Sequence, residues 1–313
     1  MKKARFAVAV IFAGILWGVI GLFARAINAA GFSSIQVAFV RAFFASVLML
    51  IGLALLRREL LKIRLRDLWC FLGTGICSLT FFNCCYFYTI NVTSLSVASI
   101  LLYTAPVFVA LLSSLLFHER MTAAHAIALL LALAGCVLVT GVLLEKPVLT
   151  PVGILAGFGA GFGYALYSIF SRYALKRGYH SMTITFWTFC IAGCSTLPFV
   201  KPLSLVKMMG EGSFPWGAVI LLAVVSTVLP YLLYTYGLTG MGSGRASVLA
   251  SVEPVVATLT GVIAYREKMT VWGACGVALV ILAVILLNLS VSKGHKKSTD
   301  QEKEEVCYES DQA

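Results

Sequence analysis

The feature that most limits what this chain can become is a series of apolar runs about twenty residues long, the length at which a helix crosses the hydrocarbon core of a bilayer. Ten of them lie near 6–27, 33–56, 68–90, 95–117, 123–144, 152–174, 182–200, 215–238, 244–265 and 270–290. Apolar residues make up 60% of the chain and charged ones 12%, too few charges to coat a water-soluble protein of 313 residues. In lipid every backbone polar group needs a partner within the protein, which a helix supplies. The fold class expected is therefore all-α integral membrane, with ten transmembrane helices. Little chain is left over for a soluble domain. The first run follows basic residues, yet its apolar stretch from Phe6 to Ala24 is longer than a usual signal-peptide core, and it reads as a retained span.

The formal net charge is +11, and its placement explains it. Lys2, Lys3, Arg5, Arg57, Arg58, Lys62, Arg64, Arg66, Arg120, Arg172, Lys176, Arg177 and Arg245 fall on one side of the expected topology, with the tail lysines Lys293, Lys296, Lys297 and Lys303. The other side holds only Arg25, Lys146, Lys201, Lys207, Arg266 and Lys268. This is the positive-inside pattern. It predicts a multi-pass protein of the cell (plasma or inner) membrane with both termini in the cytoplasm. The basic balance thus calls for a lipid bilayer as partner and no nucleic acid. The nine cysteines show no C-x-x-C or metal spacing, and only Cys307 stands clearly in an aqueous tail. His118 and His125 flank one turn without further ligands, so neither a metal site nor a cofactor is predicted.

The chain also repeats itself. Residues 97–122 lie over 245–270 at an offset of 148, pairing Ala98 with Ala246, Ser99 with Ser247, Pro106 with Pro254, Glu119 with Glu267 and Thr122 with Thr270. Upstream, at an offset of 147, Gly14 pairs with Gly161, Phe23 with Phe170 and Arg25 with Arg172. Each half is a five-helix unit. Five is odd, so tandem units enter the membrane in opposite orientations, an architecture of secondary transporters with the site between the repeats. The expected division is 1–146 for the first unit, 147–291 for the second and 292–313 for a disordered charged cytoplasmic tail.

Several short motifs follow this order: "ILWG" in the first helix, "FVR" in the second, and the mid-helix proline of "LLYTAPVFVALLSSLLFHERMT" and "ASVEPVVATLTGVIAYREKMT" with its ER/EK-M-T connection. In these the chain resembles the drug/metabolite transporter superfamily, and within it the EamA-type ten-helix metabolite exporters. The resemblance runs from residue 6 to residue 290. It implies a bundle around a central polar cavity, and export of amino acids, related metabolites or drugs.

The residues themselves offer candidates for such a site. Glu253 is the one carboxylate well inside a span, nine residues past Gly244 and so about 14 Å along the helix. A charge at that depth is costly and usually functional; it can bind an ammonium, take up a proton for coupling, or serve as a structural counter-ion. Arg41 is the matching cation, for a substrate carboxylate, for Glu253 or for free carbonyls. Trp17, Asn83, Tyr86, Tyr103, Tyr164, Tyr231, Tyr234 and Ser251 are mid-span aromatic or polar groups, suited as a set to an amphipathic ligand and individually to helix packing. Pro106, Pro254 and Pro230 each remove an amide donor, and are expected to kink their helices as hinges or as static bends. Glu119 and Glu267 close the fourth and ninth helices, read as loop geometry with gating by ion pairs as the alternative, and Thr122 and Thr270 should cap the helices that follow. Gly14, Gly18, Gly21, Gly153, Gly157 and Gly161 give small-residue faces for packing within the bundle.

The predicted function is therefore secondary active transport, exporting small metabolites by alternating access with Glu253 as the candidate for proton coupling. No Walker A pattern or catalytic set of residues points to an enzyme. Uptake by the same fold is the close alternative; a structural or signalling membrane protein acting through its tail is the alternative from another class.

Overall fold

The computed structural model describes residues 4–119, 121–142, 149–210 and 214–288, the side chains at 202 and 204 excepted. Arg120, Lys146, the boundary expected between 146 and 147, and the tail expected from 292 lie outside the described residues. Among the described residues nine helices are long and apolar enough to span a membrane: α1 (Ala4–Ala29), α2 (Ser34–Leu56), α3 (Leu65–Val92), α4 (Leu95–Phe117), α6 (Pro151–Lys176), α7 (Ser181–Phe199), α8 (Trp216–Leu238), α9 (Ser243–Tyr265) and α10 (Val271–Asn288). Between α4 and α6 stands the shorter α5 (Ala123–Val139). It stops before the expected 144 because Gly141 turns the chain with a φ of +70°.

The local chemistry that starts these helices is legible. Ser33 and Gln36 form a reciprocal capping box on α2, while the hydroxyls of Thr122, Thr150 and Thr270 accept the third amides of α5, α6 and α10 at 3.0–3.2 Å. The expected caps at Thr122 and Thr270 are present.

Packing obeys the repeat. The most extensive helix contacts include α3 on α6 and its counterpart α1 on α8, and α2 packs on α7 in a contact that is its own counterpart. α4 on α6 is matched in the same way by α1 on α9. The small faces of α1 and α6 make this possible. A Cβ on Gly14 would come within 2.5 Å of Val252 and 2.9 Å of the Ala250 carbonyl, and one on Gly161 within 2.7 Å of Thr104 and 2.8 Å of the Leu101 carbonyl. Gly21 has nothing within 4 Å; it faces the cavity described below, not a helix.

Two helix pairs are interrupted at the same places in both halves, α4 with α9 and α3 with α8, whereas α1 breaks at Val19 and its counterpart α6 runs unbroken. α4 tightens at Tyr103–Thr104 and α9 at Ser251–Val252, with ψ near 1° at Tyr103 and at Ser251. Pro106 and Pro254 then occupy the second position of the resumed segments, where a missing amide is harmless. So the expected kink is placed one turn ahead of each proline. Pro230 differs: it follows a π turn, Val224–Val228, that widens α8 without breaking it. α3 carries the matching wide turn, Gly73–Thr80. The hydroxyls of Thr80 and Thr227 donate to the carbonyls five residues back, Gly75 and Leu222, at 3.1 and 2.8 Å, satisfying backbone oxygens that water cannot reach.

Candidate functional site

Between the halves lies a cavity of about 400 Å³. Its mouth is at the end where α1 turns into α2, marked by the exposed Asn28 and Ser34; Trp17, Tyr164, Tyr231 and Glu253 line its deep part. Of the candidates drawn from the sequence, Glu253, Arg41, Trp17, Asn83, Tyr86, Tyr164 and Tyr231 line this cavity. Tyr103, Tyr234 and Ser251 do not. They face a void of about 30 Å³ beyond it, with Tyr164 and Glu253 shared between the two. Each is held by its own neighbours. Tyr103 packs on Cys136, Val255 and Val280, the Tyr234 hydroxyl is 2.7 Å from that of Ser168, and the Ser251 hydroxyl donates to the Ser247 carbonyl.

Glu253 owes its position to the interruption of α9. It is the first residue of the resumed segment Glu253–Tyr265, where the helix N-terminus favours a negative charge. The Tyr164 hydroxyl donates to its carboxylate at 3.5 Å, a long bond. Arg41, from α2, has its Nε buried without a hydrogen-bond partner. Among the described residues the ion pairs are Arg25 with Glu267, Arg172 with Glu119 and Arg177 with Asp67. Arg41 and Glu253 therefore face one cavity without being joined. Each keeps its capacity for a ligand group of opposite charge.

The wall of the cavity is aromatic. The Trp17 ring lies 5.1 Å from Tyr231, 5.4 Å from Tyr234 and 6.4 Å from its repeat counterpart Tyr164. Phe82 bridges Tyr164 and Tyr86, at 5.7 Å from each. Asn83 donates to the Leu79 carbonyl at 2.7 Å, and the Tyr86 hydroxyl is 3.3 Å from Ser99. Sequence reasoning passed over Phe82, Phe87, Asn28 and Arg25, which also line the cavity. For Arg25 the signal was present, in its alignment with Arg172.

Beyond this floor the bundle is closed. The Tyr167 hydroxyl is 2.7 Å from that of Thr235, in a plug shared with the Tyr234–Ser168 pair. A second cavity of about 380 Å³ opens at the opposite end, lined by Glu119, His125, Arg172 and Arg245 among others. Glu119 and Glu267 are more than loop geometry. Glu119 is 2.7 Å from Arg172, and Glu267, at the mouth of the first cavity, is 3.0 Å from Arg25. Among the described residues no group of three His, Cys, Asp or Glu side chains is placed to hold a metal.

Known proteins match both halves of the chain. Residues 5–141 and 151–289 each match the EamA-like transporter family. An uncharacterized transporter of Archaeoglobus fulgidus is 30% identical over 289 residues, covering 89% of this chain and 94% of the relative. The uncharacterized transporter YwfM of Bacillus subtilis is 25% identical, covering 66% of this chain and 69% of its own. A solved crystal structure superposes with a TM-score of 0.76 at 19% identity, over 93% of this chain and 98% of the other, a likeness of fold alone.

Proposed function

The chain belongs to the EamA-like transporter family, and from that premise we propose that it exports small zwitterionic metabolites, amino acids or related compounds, by secondary active transport. One observation carries the reading: a single cavity presents a carboxylate, Glu253, and a guanidinium, Arg41, that do not neutralise each other by contact, across a wall of aromatic rings. An α-ammonium matches the first, an α-carboxylate can take two hydrogen bonds from the second, and an apolar side chain or an amphipathic drug lies on the rings. Two inverted halves with interruptions at equivalent places supply the alternating access. Glu253 also carries the coupling: in the first turn of a half-helix and inside the cavity, it exchanges a proton as the cavity changes sides. The positive-inside asymmetry supports a topology in which the Glu119 end faces the cytoplasm, with both termini.

Counterflow in proteoliposomes tests this. Vesicles preloaded with an unlabelled amino acid should accumulate the same amino acid in labelled form. Protein-free vesicles should not. A screen of amino acids and aromatic cations in which no solute gives counterflow would remove the transport reading for these classes.

A further inference from the structure

The two Arg–Glu pairs are one device built twice. Arg25 and Arg172 are repeat counterparts, as are Glu267 and Glu119. Each arginine also lies over the aromatic residue two positions before its glutamate, Arg25 on Tyr265 at 4.2 Å and Arg172 on Phe117 at 5.1 Å. The intervening residues, His118 and Arg266, both take left-handed conformations, with φ of 53° and 55°. Each thereby lets the amide of the following glutamate bond back to its own helix, at Ser113 or Gly261.

The devices differ in what the glutamate does next. The first segment of α9, Ser243–Ala250, has Gly242 as its N-cap and so no cap side chain of its own. Glu119 supplies one from another part of the bundle. Its carboxylate accepts the amides of Ser243 at 3.1 Å and Gly244 at 3.4 Å while paired with Arg172, which also donates to the Met241 carbonyl. A Cβ at residue 242 would stand 2.6 Å from this carboxylate, so the glycine is what admits it. The counterpart of Gly242 is Ser94, whose hydroxyl accepts the Val97 amide and caps α4 from within. The side chains of the Arg172–Glu119 pair are 20% and 21% exposed, against 55% and 51% for Arg25–Glu267.

We propose that Glu119 is a positioning residue that latches the inner end of the pathway shut by serving as the N-cap that α9 lacks, a hold the outer pair does not reproduce because α4 caps itself. The latch rests on the alternating-access reading. It ties the α4–α5 turn, the end of α6 and the start of α9 together at the end where the second cavity opens, and so holds the helices around the Tyr167–Thr235 plug in their closed packing. Releasing Glu119 frees all three at once.

Labelling with a membrane-impermeant maleimide measures the latch without measuring transport. Ser113→Cys reports the inner cavity and Ala24→Cys the outer one, each read as the increment over the same chain without the added cysteine. Glu119→Ala, which removes the accepting oxygens together with the charge, should raise Ser113→Cys labelling from the inner side about tenfold, the scale of one lost helix cap, and lower Ala24→Cys labelling from the outer side. Gly242→Ser, which gives α9 the cap α4 already has and crowds the carboxylate, should shift both in the same directions. The double exchange Glu119→Arg with Arg172→Glu keeps an ion pair but not a cap, and should stay open. No change, or a parallel rise on both sides in both single variants, would overturn the latch; so would closure restored by the double exchange, which would leave a bare ion pair. Counterflow by the unsubstituted chain with unresponsive labelling sinks the latch alone. Responsive labelling without counterflow supports the latch and sinks the transport reading.

Discussion

α4 and α9 have the same backbone and different chemistry. Both tighten two residues before resuming, with ψ near 1° at Tyr103 and Ser251, both place proline second in the resumed segment, and both end on a left-handed residue. Yet where α9 resumes with Glu253, α4 resumes with Ala105, buried against Val109 and Ala165. The same holds for α2 and α7: Arg41 faces the cavity, while its counterpart Thr188 is buried and bonded to Thr74 and to the Ile184 carbonyl. On the proposed function, the duplicated backbone is the part that moves and the unduplicated side chains are the part that binds.

That division can be broken at its strongest point first. Glu253→Gln keeps the shape of α9 and removes the charge that α4 lacks; gradient-driven transport in proteoliposomes should fall at least about a hundredfold with normal membrane expression. Transport near the original rate would take Glu253 out of the mechanism.

Symmetric substitutions should instead behave symmetrically. Gly14→Ala and Gly161→Ala each drive a methyl group into a backbone carbonyl of the interrupted helix, so each should destabilise the folded protein by about 1–3 kcal/mol, seen as lower thermal midpoints in detergent. Gly21→Ala, with open space around it, should leave the midpoint unchanged. A large difference between Gly14 and Gly161 would mean the halves are not equivalent in packing.

Arg41 and Thr188 separate the two roles further. Arg41→Lys retains charge and loses the planar fork, and should weaken apparent substrate affinity about tenfold with little change in stability. Thr188→Val should do the reverse, costing about 1 kcal/mol of stability and leaving affinity intact. The smallest effect expected is that of Tyr164→Phe. It keeps the ring beside Trp17 and deletes a hydrogen bond already 3.5 Å long, so a two- to threefold change in apparent affinity is about the scale of a weak neutral bond.

Much of this was readable beforehand, for identifiable reasons. Span length and charge placement gave the ten helices because lipid leaves the backbone few options; the ends of α4 and α9 came out within a residue of 95–117 and 244–265, the bounds of the apolar runs. Depth along a helix was also legible, and Glu253 and Arg41, singled out by it, line one cavity. Azimuth was not. These helices are apolar nearly all round, so periodicity does not tell which side faces the cavity, and Tyr103, Tyr234 and Ser251 were grouped with residues that face elsewhere. The wide turns of α3 and α8 leave no mark in composition. The Arg25–Glu267 pair joins residues 242 positions apart, and alignment of the halves says which residues correspond, not which ones touch.

The self-capped start of α4 has one more consequence. A carrier whose two facing forms are near copies of a single backbone gains no preference from the fold itself, since each form mirrors the other. Whatever bias exists between them must then come from places where the copies disagree, and a hydroxymethyl group present at residue 94 and missing at residue 242 is such a place. The resting orientation of a 313-residue protein would thus be adjustable through one side chain lying far from anything it carries.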